Sequence, residues 1–110
     1  MARRLYQESG YSAANPLELE LRYNTSENHK KIAIAIAAMW KQVLGVKTRL
    51  VNEEWKVFLK NRNQKKLTQV FRAGFIGYYP YAYLELMHSS HQMNDMGYSD
   101  VEFDTLLQKA

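Results

Sequence analysis

No cysteine occurs among the 110 residues, which excludes disulfide scaffolds, thiolate zinc sites and cysteine nucleophiles together. Two prolines and five glycines supply all the backbone punctuation, and no repeat, low-complexity tract or linker divides the chain. No apolar run approaches the roughly 20 residues of a membrane span, so no membrane insertion is expected. No hydrophobic stretch follows Met1-Ala2-Arg3-Arg4, so no signal peptide is read and a cytoplasmic location on expression is expected. A Gly-rich phosphate loop, a Gly-x-Ser-x-Gly elbow and a His-Glu-x-x-His helix are all missing. Neither an enzyme nor a cofactor is expected.

What is present reads as globular: 46% hydrophobic, 24% charged and 13% aromatic residues argue against disorder. A single domain over 1–110 is expected, with a folded surface of roughly 6,300 Å² against about 18,700 Å² for the extended chain. The net charge is +4. Basic knots at Lys30-Lys31 and at Lys60, Arg62, Lys65 and Lys66 are interspersed with Glu53, Glu54, Glu85, Asp100, Glu102 and Asp104. Nucleic-acid binding asks for one basic stripe with exposed aromatics, so no nucleic-acid partner is expected.

Periodicity then predicts an α/β fold: a small two-layer or three-layer domain with a βαβ unit, about three strands and four to five helices. Residues 3–9 form a short helix ended by Gly10. Leu17, Leu19, Leu21 and Tyr23 alternate with Glu18, Glu20, Arg22 and Asn24, a strand with one buried and one wet face. After the capping oxygens of Asn24-Thr25-Ser26, a long helix is predicted whose core stripe is Ile32, Ile36, Met39, Trp40 and Val43, ended by Gly45. Val46–Val51 forms a second strand, parallel to the first by the crossover rule. Asn52-Glu53-Glu54 leads into a third helix with Trp55, Phe58 and Leu59 inward and Lys56, Lys60 and Arg62 toward solvent. Residues 67–76 are predicted as a third strand, and 82–89 and 100–109 as terminal helices, the last capped by Asp100.

His88 and His91 stand three apart, a spacing that can bring two imidazoles together, but no third strong ligand is placed and no metal site is expected. His29, in the first turn of the long helix, reads as a surface residue. The unusual stretch is Phe75-Ile76-Gly77-Tyr78-Tyr79-Pro80-Tyr81-Ala82-Tyr83-Leu84. Gly77 and Pro80 mark a surface loop, and tyrosines so placed have the profile of a protein-binding surface.

Several segments are similar to a known family. Leu21-Arg22-Tyr23-Asn24-Thr25-Ser26-Glu27-Asn28-His29-Lys30-Lys31-Ile32-Ala33 resembles the "YNTS…HKKIA" run of oligopeptide-binding proteins, the extracytoplasmic solute receptors of peptide ABC transporters. Trp40–Val46 and Leu50–Leu59 resemble the helix, strand and helix that follow. Arg72-Ala73-Gly74-Phe75 resembles the family's "R-A-G-W" strand, and Met93-Asn94, Tyr98-Ser99 and Glu102-Phe103-Asp104 its downstream helix. The resemblance implies a piece of one lobe of a periplasmic or cell-surface receptor that binds short peptides.

Three positions depart from that pattern. The family's first acidic position, which the resemblance assigns to the peptide's N-terminal ammonium, is Tyr78; the next acidic position is Tyr81; the tryptophan is Phe75. A phenol carries no charge at pH 7 and cannot supply a charge-assisted contact. Acidic positions turned aromatic on an unaltered scaffold suggest an engineered protein-binding domain, able to inhibit an enzyme with an open cleft. Tyr78, Tyr81 and Tyr83 are then the anchors of a partner-binding surface. Phe75, Ile76, Tyr79, Leu84, Met87, His88, His91 and Met96 lie around them. The alternative is a fragment of a transport receptor that retains peptide binding.

Overall fold

A computed structural model describes residues 1–65 and 69–110. Its central element is a parallel β-α-β unit. Strand β1 (Glu18–Asn24) runs into helix α2 (Glu27–Leu44), which returns to strand β2 (Lys47–Glu53). β1 and β2 pair in parallel along their whole length, with Leu21 opposite Leu50. The unit is preceded by helix α1 (Ala2–Glu8) and followed by helix α3 (Trp55–Gln64), strand β3 (Val70–Phe71), helix α4 (Pro80–Glu85) and helix α5 (Val101–Lys109). β3 pairs in parallel with the other edge of β1, giving the order β2-β1-β3. The architecture is α/β, as periodicity predicts.

Local chemistry sets the element ends. The Ser26 hydroxyl caps α2 by accepting from the His29 N–H, and Gly45 closes it in the left-handed region at φ 73°, where a side chain would be strained. The Glu54 carboxylate caps α3 by accepting from the Lys56 and Val57 N–H groups, while Glu53 stays in β2. The adjacent carboxylates thus diverge, one in the strand and one at the helix start. Asp100 caps α5 through the Phe103 N–H.

The core lies between the sheet and α2, where Leu21, Tyr23 and Ala33 pack together with Ile36, Leu50 and Val70 against them. Phe58 is the most enclosed side chain, 1% exposed. Several expectations are corrected, among them Trp55, expected inward on α3 but half exposed. The core stripe of α2 runs through Ala33, Ile36, Ala37, Trp40 and Leu44, whereas Ile32, Met39 and Val43 are exposed. The helix is rotated so that alanine meets the sheet, because a small side chain lets the backbone approach closely. The second face of β1 is wet only at its start: Glu18 is exposed, whereas Glu20, Arg22 and Asn24 are partly buried. Arg22 binds Glu20 at 3.0 Å and pairs with Glu53, and Asn61 of α3 donates to Glu53 at 2.6 Å. Ion pairs beneath α3 replace water there.

The third strand is shorter than 67–76. Its first expected residue, Leu67, lies with Lys66 and Thr68 outside the described residues. The ladder ends after Phe71 with one further bond, Arg72 N–H to the Arg22 carbonyl at 2.9 Å. Beyond it Ala73 and Gly74 offer only one methyl group to pack on the sheet, and Phe75 turns toward Tyr83 of α4. That helix, expected over 82–89, instead begins at Pro80, whose fixed φ and missing N–H suit the first helical position. Residues 86–90 are turns.

The accessible surface is 8284 Å², well above the roughly 6,300 Å² expected from the chain's mass. The radius of gyration, 16.2 Å, exceeds the roughly 13 Å of a compact chain this long. The chain is elongated, 46 × 35 × 25 Å along its principal axes, and leaves apolar side chains open, among them Ile32, Met39 and Val43 on α2.

Candidate functional site

The segment that leaves β3 runs past the carboxyl ends of the parallel strands and is folded back by α4. Tyr83 does the folding. The Gly77 N–H donates to its phenol oxygen at 3.1 Å, and its hydroxyl is placed to donate to the Gly77 carbonyl at 3.2 Å. Phe75 meets the Tyr83 ring edge-on at 5.6 Å, a favoured aromatic geometry. A Cβ on Gly77 would lie 3.0 Å from the Tyr83 ring and 3.2 Å from both Ala82 and Phe75, so any side chain here would push those neighbours aside by a few tenths of an ångström.

The tyrosines expected to act together therefore divide. Tyr78 and Ile76 stand out into solvent, 95% and 85% exposed, and Tyr79, Tyr83 and Leu84 are about half exposed. Tyr81 is not a free anchor in a loop. It lies on α4, partly buried, and its hydroxyl donates to the Leu107 carbonyl of α5 at 3.2 Å. Met87, His88 and His91 are likewise partly buried in the turns after α4. His88 faces α5, its Nε2 3.9 Å from Asp104 and 3.4 Å from the Gln108 amide nitrogen.

His88 is an interior contact of those turns rather than a solvated residue. Its Nδ1 accepts from the Ser90 N–H at 3.1 Å and lies 2.9 Å from the Ser90 hydroxyl, while its Nε2 is 3.9 Å from Asp104. Ser89 donates to Asp104 from both its hydroxyl (2.5 Å) and its N–H (3.1 Å). The hydroxyl bond, with smaller help from that N–H and the His88 ring, holds the Asp104 carboxyl below its usual range. His91 Nδ1 accepts from the Met93 N–H at 3.0 Å. Among the described residues no three histidine or carboxylate side chains gather as a metal site would need. His29 is half-buried, its Nδ1 3.2 Å from the Asn24 carbonyl, not fully on the surface.

Beside the 75–84 segment the structure joins Phe75 and Met96, both expected at the site, to residues that sequence reasoning missed. A cavity of about 220 Å³ is lined by Phe71, Phe75, Leu86, Met93 and Met96, with Arg62 and Asp95 also in its wall. Arg62 had been expected to face solvent. Its side chain and that of Asp95 are each only 11% exposed and meet at 2.7 Å. The guanidinium also lies over the Phe58 and Phe71 rings, 5.6 and 5.9 Å from their centroids. With its amide turned to donate, Asn63 reaches both Asp95 oxygens at 2.8 and 3.3 Å. The available signal was spacing: Arg62 follows Phe58 by one helical turn and so shares its inward face. The partner Asp95 is distant in sequence and carried no such signal. Met96, expected around the tyrosines, is exposed at the rim of this cavity.

Among the described residues no helix is long and apolar enough to cross a membrane. Residues 1–95 match the family model of bacterial extracellular solute-binding proteins, family 5 (middle). The periplasmic murein peptide-binding protein MppA of Escherichia coli K12 is 43% identical over 111 residues, which cover 99% of this chain and 20% of that protein. The periplasmic oligopeptide-binding protein OppA of the same strain is 44% identical over 108 residues, covering 96% of this chain and 20% of its own. Among solved structures, Haemophilus influenzae OppA in complex with RPPGFSPFR matches with a TM-score of 0.93 at 37% identity, covering 98% of this chain and 22% of that one. The chain thus spans about a fifth of the length of the curated relatives it matches. With a family model matched over most of its residues and the same fold in those relatives, the chain belongs to the bacterial extracellular solute-binding proteins of family 5.

Proposed function

We propose that this chain serves as part of a non-enzymatic peptide receptor working outside the cytoplasm, in peptide uptake by an ABC transporter, and that the ridge from Phe75 to Leu84 forms one wall of its ligand site. The observation that carries this reading is the likeness, through 98% of the chain, to a receptor solved with the peptide RPPGFSPFR. The exposed stripe Ile32, Met39 and Val43 supports it, since a segment packed within a longer receptor has such a face to cover. At the ridge the chain offers peptide an aromatic contact through Tyr78 and no carboxylate.

Calorimetric titration with peptides of two to five residues tests this. Saturable binding is expected, weakened several-fold by Tyr78→Ala with an unchanged circular dichroism spectrum. Absence of binding to every peptide at millimolar concentration would overturn it. Tyr81 and His88 enter this reading through their contacts with α5, and Met87 and His91 as partly buried residues of the segment after α4.

A second reading is favoured by the exposure of Tyr78 and Ile76: an engineered protein-binding surface, inhibitory against an enzyme with an open cleft. It is the weaker of the two, because the likeness to peptide receptors runs through the whole chain. Tight binding of one folded protein, abolished by Tyr78→Ala and accompanied by no peptide affinity, is the result that favours it.

A further inference from the structure

We infer that Tyr83 is the positioning residue of the ridge: its hydroxyl fixes the backbone at Gly77 and so holds the neighbouring Tyr78 ring out where ligand meets it. This rests on the peptide-receptor reading and divides the tyrosine run into one contact and its supports. The sheet does not hold this stretch. The ladder ends with the Arg72 N–H bond to Arg22, and among the described residues the backbone from Ala73 to Tyr78 makes hydrogen bonds only to Tyr83. A phenol hydroxyl has one proton to donate and lone pairs that accept. Tyr83 directs both to a single residue, accepting from the Gly77 N–H at 3.1 Å and donating to the Gly77 carbonyl at 3.2 Å.

The Gly77 N–H and carbonyl belong to the two planar peptide groups that flank its Cα, so bonds to both set its φ and ψ together. The second of those groups leads into Tyr78. Control is needed at this residue, because glycine has the widest choice of backbone angles. The clamp is itself well mounted. Phe75 meets the Tyr83 ring edge-on at 5.6 Å, and Tyr81 ties α4 to the Leu107 carbonyl of α5. Tyr78 is 95% exposed, and its side chain makes no hydrogen bond or ring contact among the described residues. Its direction is therefore set by its backbone.

Backbone relaxation NMR and calorimetry test this with Tyr83→Phe, which removes the hydroxyl and keeps the ring. In the unaltered protein Gly77 and Tyr78 should be as ordered as α2, with order parameters of about 0.85; the variant should bring both below about 0.6 and leave β1 and α2 unchanged. Affinity for tri-alanine and for RPPGFSPFR should fall roughly tenfold, because bound peptide must then order residues that the free protein no longer holds. On a Tyr78→Ala background the same change should cost no further affinity, since the hydroxyl acts through Tyr78. A purely structural role would produce no such coupling. Unchanged order at 77–78 in Tyr83→Phe overturns the clamp. Looser residues with undiminished affinity, or a full additional loss on the Tyr78→Ala background, overturn the positioning role and leave the peptide reading standing. Looser residues with no peptide bound by either protein uphold the clamp and refute the peptide reading.

Discussion

Asp95→Ala should be among the most damaging single substitutions in this chain, although it deletes only one short side chain in a turn. Asp95 and Arg62 are each 11% exposed and 2.7 Å apart. At an effective dielectric constant of about 20 their gross attraction is about 6 kcal/mol, and desolvation of the two ions offsets most of it. The intact pair therefore adds little net stability. Its removal is different: the guanidinium stays beneath Phe58 and Phe71 with no counter-ion, at a cost of roughly 3–5 kcal/mol.

A chain this long has a total stability of about 5–15 kcal/mol, so Asp95→Ala should unfold at much lower urea. Equilibrium denaturation followed by Trp40 and Trp55 fluorescence measures the loss, and the double variant Arg62→Met with Asp95→Leu should recover most of it. A loss below about 1 kcal/mol for Asp95→Ala is what a solvent-screened surface pair would produce. That result would refute the buried-pair account.

Two further outcomes follow from local geometry. Gly45→Ala should cost roughly 1–2 kcal/mol in thermal or urea unfolding, because φ is 73° and no atom lies within 4 Å of the new Cβ; the penalty is backbone strain alone. The Asp104 carboxyl titrates below its reference value of 3.8, so its contribution to stability is present above that pH. The contribution is lost as pH falls through the lower, folded-state value. Ser89→Ala removes the principal cause, and carbon-detected NMR titration should show the Asp104 midpoint rising toward 3.8; an unmoved midpoint would place the cause elsewhere.

Elements whose signals are local were legible in the residues. The alternation of Leu19, Leu21 and Tyr23 marks β1, Ser26 and Gly45 bracket α2, and Asp100 starts α5. Each depends on hydrogen bonds or burial within a few residues. The rotation of α2 was not legible, because two apolar stripes compete on that helix. Ile32, Met39 and Val43 are the more hydrophobic, yet the sheet takes the stripe led by Ala33.

The candidate site divides in the same way. Composition alone marks the tyrosine run as unusual. Which ring is free depends on contacts across long sequence separation: Tyr81 to Leu107, and Arg62 to Asp95.

The sequence by itself determined the α/β class, the parallel β-α-β unit, the family resemblance and the exclusion of cysteine chemistry, because these rest on periodicity, capping and residue type. Only the tertiary structure decided that Tyr78 and Ile76 face solvent while Tyr81 is tied down, that Arg62 turns inward to Asp95, and that a cavity opens beside Phe75. Those outcomes depend on which distant side chains meet, and one helix rotated by a fraction of a turn exchanges an inward residue for an outward one.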